Sequence, residues 1–110
     1  MIEKTIKDYL DSHLNVPSFL ERPENPPETY VLFEKTGGAE SNHINSGTFA
    51  FQSYAPSLFE AAKLNVKVKA CLNEMIYFTD ISKAKLNSDY NFTDPETKEY
   101  RYQAVYDFKY

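Results

Sequence analysis

An α+β fold is predicted, with a mostly antiparallel sheet of about five strands and two main helices packed on it. Three observations carry that expectation. Ile2, Ile6, Tyr9 and Leu10 recur at helical spacing. Ser57, with Glu60 three residues on, forms a capping box that opens a second helix. The final segment alternates strictly, with Tyr100, Tyr102, Ala104, Tyr106, Phe108 and Tyr110 on one side and Arg101, Gln103, Val105, Asp107 and Lys109 on the other.

Taken in order, the first helix runs from Ile2 to His13, with Glu3, Lys4, Lys7, Asp8 and Asp11 on its wet side. Val16–Glu21 contains Pro17 and suits a short edge strand. Pro23, Pro26 and Pro27 fix an extended linker that can join neither helix nor ladder. Thr29–Thr36 is β-branched and aromatic, as a buried strand is. Gly37-Gly38 reads as a tight turn ending that strand, and a polar loop runs on to Gly47. Thr48–Tyr54 is the next strand, and the helix capped by Ser57 extends to about Met75. Ile76–Phe78 closes it, and a strand follows over Ile81–Tyr90. Asp94-Pro95-Glu96-Thr97 is a turn, and Tyr100–Tyr110 is the last strand. The order is α-β-β-β-α-β-β, and residues 1–110 are expected to form one domain.

Composition narrows the function. The net charge is −4 and no run of Lys or Arg occurs, so phosphate neutralisation has no clustered basic surface and specific nucleic-acid binding is not expected. No stretch approaches the ~20 apolar residues of a membrane span. Met1-Ile2-Glu3-Lys4 lacks the basic and apolar regions of a signal peptide, and the single cysteine, Cys71, cannot form an internal disulfide; synthesis in the cytoplasm is expected. Nine Tyr and eight Phe in 110 residues are an excess that suits a sheet or an interface.

Candidates for chemistry have plainer readings. Cys71 falls on the stripe Ala61, Leu64, Val68, Cys71, Leu72 and Met75, far from a helix N-terminus, and reads as a buried structural thiol. His13 ends a helix, and His43 sits in the polar loop without a second ligand nearby. Gly37-Gly38 lacks the Gly-Lys-Ser/Thr of a phosphate loop. Asn91-Phe92-Thr93 matches a glycosylation acceptor, which a cytoplasmic chain does not meet. No catalytic, cofactor or metal residue is therefore assigned, and surfaces become the candidates. One is the loop, with Gly37, Gly38, Glu40, Asn42, His43 and Asn45. The other is a mixed flank of the second helix, with Leu58, Ala62, Asn65, Val66, Lys69 and Asn73. That flank lies either at the sheet edge or against a neighbouring subunit. The aromatic face of the last strand serves the core, with an interface as its alternative.

Three segments resemble the phage tail terminator and head-tail joining family of siphophages and Gram-positive prophages. They are Pro26-Pro27-Glu28-Thr29-Tyr30-Val31-Leu32-Phe33-Glu34-Lys35-Thr36-Gly37-Gly38, then Phe51-Gln52-Ser53-Tyr54-Ala55 leading into Leu58-Phe59-Glu60-Ala61-Ala62, and finally Lys85–Asp94 with Tyr100-Arg101-Tyr102-Gln103-Ala104-Val105-Tyr106-Asp107. The resemblance implies a non-enzymatic virion protein without cofactors. Its copies would form a hexameric ring that caps the tail tube and connects it to the head. Implied partners are further copies of itself, the major tail tube protein and the head-tail connector. The implied location is the tail or neck of the virion. Another neck completion protein of similar fold is the alternative, and a small ligand-binding domain or enzyme is a more distant one.

Overall fold

The computed structural model describes residues 1–110. Helix α1 spans Ile2–His13 and buries Ile6, Tyr9 and Leu10, while Lys4–Asp8 and Lys7–Asp11 pair at i, i+4 on its wet face. Strand β1 is only Ser18–Phe19 and runs parallel to β2, Tyr30–Ser41. Pro17 cannot donate to the ladder, yet its carbonyl accepts from the Val31 N–H at 3.0 Å, so the proline sits where an edge tolerates it.

Strand β3, Ile44–Tyr54, returns antiparallel to β2 with continuous pairing out to Ser41↔Ile44. The loop expected over Gly37–Gly47 is therefore a β-hairpin. Its turn is Asn42-His43, not Gly37-Gly38. Both turn residues are left-handed, at φ 51° and 65°, as a two-residue hairpin of matching twist requires. Neither glycine has positive φ. Thr36 is squeezed out as a bulge between Lys35↔Phe49 and Gly37↔Thr48. The sequence hid this strand because most of its side chains beyond Lys35 meet water on both faces, which erases the apolar alternation.

Helix α2 is Leu58–Glu74; the Ser57 hydroxyl accepts from the Glu60 N–H at 3.2 Å. One 3-10 turn, Met75–Tyr77, leads to β4 over Lys83–Asn91 and then to β5 over Arg101–Lys109. β4 starts later than Ile81 because Ile81 is buried in the core rather than laid on the sheet. The sheet order is β1-β2-β3-β5-β4, and every pairing except β1–β2 is antiparallel. The α+β architecture and the element order are those anticipated.

Both helices pack against the same sheet face. The rings of that face interlock: Phe33 stacks on Phe51 at 5.4 Å, and Phe51 meets Tyr106 and Phe108 edge-on at 6.1 Å. On β5, Ala104, Tyr106 and Phe108 are fully buried, so the middle of the tyrosine strand belongs to the core and only its ends reach the surface. No helix is long and apolar enough to cross a membrane.

The turn geometry gives a first test. His43→Gly removes the cost of a side chain at φ 65° and should raise stability by about 0.5–1 kcal/mol. His43→Val should lower it by about 1 kcal/mol or more, because a β-branched residue resists the left-handed region. Urea unfolding of the two variants beside the native chain measures both.

Candidate protein-interaction surfaces

The two candidate surfaces lie toward opposite edges of the sheet. Gly37, Gly38 and Glu40 are on β2, Asn42 and His43 form the turn, and Asn45 is on β3. β1 covers β2 only at Val31 and Leu32, leaving the rest of that edge without a strand partner. The arm is tied down from the other side. Asn45 and Tyr110 exchange backbone hydrogen bonds at 3.1 and 2.9 Å, and the Lys35 ammonium donates to the Tyr110 hydroxyl at 3.2 Å. A side chain at Gly38 would run into Lys35, whereas Gly37 faces open space.

The α2 flank divides. Asn65 is 2% exposed, which corrects its place on the mixed surface: its amide turns inward and donates to Asp89 of β4 at 3.2 Å. Lys69 pairs with the other Asp89 oxygen at 3.1 Å, half-shielded from water. Asn73 accepts from the Tyr106 hydroxyl at 2.8 Å. That hydroxyl is pushed up to about 12 by burial and by the charge of Asp89, so it remains a donor throughout the physiological range. The three polar residues thus tie α2 to β4 and β5. Leu58, Ala62 and Val66 are left facing outward, with Val66 60% exposed.

A third surface escaped the sequence reading. No helix covers the opposite sheet face, where Tyr30 and Tyr54 stack at 4.6 Å and are nearly buried, and the polar side chains beside them satisfy one another across the strands. Gln103 donates to the Tyr90 hydroxyl at 2.6 Å, Gln52 donates to Gln103 at 2.9 Å, and the Tyr54 hydroxyl donates to Gln52 at 2.9 Å. Arg101 in turn donates to the Tyr54 hydroxyl at 2.8 Å. This lateral network leaves Gln103 only 8% exposed on an uncovered face. Gln52, Tyr54, Arg101 and Gln103 alternate with core residues, a signal that could have marked the face.

Cys71 is half-buried rather than buried, and it lines an open groove of about 440 Å³ with Tyr9, His13, Lys67 and Glu74. His13 stacks on Tyr9 at 4.0 Å, and its Nδ1 lies 2.9 Å from the Tyr9 carbonyl. Burial, reinforced by the Glu74 charge, pushes the Cys71 thiol up to about 11, the opposite of what a nucleophile needs. His43 is remote, at the hairpin tip. No group of three or more His, Cys, Asp or Glu side chains is placed to hold a metal ion. No family model matches the chain, and no curated protein matches it.

Two measurements follow. At pH 8, Cys71 should alkylate about 100-fold more slowly than a free thiol whose value is 9.0, and unfolding in urea should abolish the difference. Asp107 is held below the usual carboxylate range by hydrogen bonds from Thr48 and Asn87, which outweigh its desolvation. Its contribution to stability is therefore present above the unfolded-state value near 4 and is lost as pH falls through the lower folded value. Asp107→Asn should be less stable than the native chain at pH 7 and should show a shallower loss below about pH 4, read by urea unfolding across pH.

Proposed function

We propose that this protein is a non-enzymatic virion assembly subunit of the tail terminator type. Its copies form a hexameric ring that ends the tail tube and connects it to the head. The observation that carries the reading is the placement of two exposed features, the hairpin arm and the outer row of α2, toward opposite edges of the sheet. The hairpin arm stands at one edge and the apolar outer row of α2 beside the other, so one copy presents two different contact sides. A ring subunit needs that arrangement. The resemblance in the segments around Tyr30–Gly38, Phe51–Ala62 and Tyr100–Asp107 supports it, and so does the character of the grooves. Those grooves are open, and the one thiol in them has its ionisation suppressed. In this reading the partners are further copies of the chain, the major tail tube protein and the head-tail connector. The protein is made in the host cytoplasm and resides in the tail or neck of the virion.

Electron microscopy of particles made without this gene tests the proposal. A terminator predicts overlong tails without heads. Tails of normal length that fail to join heads would move the role to neck completion, and particles of ordinary form would overturn both.

A further inference from the structure

The sheet ends in two strands that each lack a partner on one side. From Phe33 to Ser41, β2 has no neighbour beyond β1, whose pairing stops at Leu32. At the far end, β4 pairs only with β5, so its outer edge is free along all nine residues. Unpaired edges are templates for added strands, and native chains guard them with lysines, bulges or short strands. Here the guard is partial. Lys83 and Lys85 protect the first half of β4, but the second half is flanked by exposed Leu86, Tyr90 and Phe92.

Helix α2 adds a roof over that half. At 100° per residue, Asn65, Leu58, Lys69, Ala62, Asn73 and Val66 follow one another around an arc of about 100°, with Val66 farthest from the inner stripe. Asn65 and Lys69 are bonded to Asp89 of β4, so their end of the arc lies above the β4 edge. Leu58, Ala62 and Val66 are the members without an internal bond; Leu58 and Ala62 overhang that edge, whereas Val66, 60% exposed, is turned to the outer side of the helix. The open part of β2 has the complementary shape. Thr36, Gly37, Gly38, Ala39 and Ser41 are small, and Gly37 has nothing within 4 Å of where a Cβ would stand. Such a strand can approach closely beneath an overhang.

Strand direction selects which edges meet. β2 runs opposite to β3, β3 opposite to β5, and β5 opposite to β4, so β2 and β4 run opposite to each other. A second copy turned about an axis along the strands therefore presents its β2 antiparallel to β4 and continues the sheet. Joining like edges would stop at a pair and leave the other two edges open. Joining unlike edges uses both edges of every copy, and such a head-to-tail contact is the kind that builds a ring when the rotation between copies closes.

We propose that the β4 edge and the overhanging α2 flank of one copy receive the β2 edge of a second copy's hairpin; this rests on the ring reading above. The two surfaces singled out in the sequence are then the two halves of one contact.

Mixed-cysteine cross-linking tests it in a Cys71→Ser background. Copies carrying Thr36→Cys or Ala39→Cys are mixed with copies carrying Ser88→Cys or Tyr90→Cys and oxidised. Cross-links should form in the mixtures and not within either set alone. Native mass spectrometry should show Leu58→Glu, whose substitution lies outside both strands, weakening self-association by about tenfold or more. Cross-links confined to like variants would overturn the proposal. So would a chain that stays monomeric up to about 1 mM, or an unchanged mass distribution for Leu58→Glu. None of these depends on tail morphology, so microscopy of particles lacking the gene judges the virion role separately.

Discussion

The structure depends on the pairing of β3 with its two neighbours and on the rings that this register stacks together. Phe49 and Phe51 of β3 lie beside Phe33 of β2 and beside Tyr106 and Phe108 of β5, and all five are buried. A slip of one residue in either ladder would turn a row of rings out to water. Burying a single phenylalanine contributes roughly 1.5–3 kcal/mol, so the registers of β2, β3 and β5 are held together as one unit. The helices then have only one face on which to pack.

That choice has a consequence for the other face. With no helix to cover it, its polar side chains find partners within the sheet, and Tyr90, Gln103, Gln52, Tyr54 and Arg101 do so in sequence across three strands. The face is thereby finished chemically, with its side chains held by one another. The edges are different. A strand edge cannot satisfy itself, and β2 and β4 both leave theirs to water. Unmet bonding capacity and small side chains gather on the rim, and the functional reading follows them there.

Helix α2 shows how one element serves both fold and surface. Its inner stripe, Ala61, Leu64, Val68 and Leu72, packs on the sheet. Its polar flank fastens β4 and β5 through Asp89 and Tyr106. Because Asn65, Lys69 and Asn73 are committed to those ties, the outward character of the flank is set by Leu58, Ala62 and Val66. The same accounting explains the quiet groove beside α1. Cys71 and His13 share it, but burial suppresses the thiolate and the imidazole is stacked on Tyr9.

Elements whose two faces meet different environments were legible in the sequence. α1, the Ser57 cap, the edge strand after Pro17 and the alternating strand β5 each show a periodic contrast between core and water, and each lies where that contrast indicates. The hairpin arm was not legible, because most of its residues face water on both sides and its strand character comes from the backbone pairing of β2 with β3 and from the left-handed pair Asn42-His43. Nor was the inward turn of Asn65, which depends on Asp89, 24 residues away, arriving beneath it on β4. By itself the sequence determined the α+β class, the element order and which residues could form the core, since these follow from local periodicity and capping. The tertiary structure alone decided that the Gly37–Gly47 segment is an arm and that the two candidate surfaces stand at opposite edges, because the arm's local pairing leaves no apolar alternation to read and the placement of the surfaces depends on strand order among residues distant in the chain.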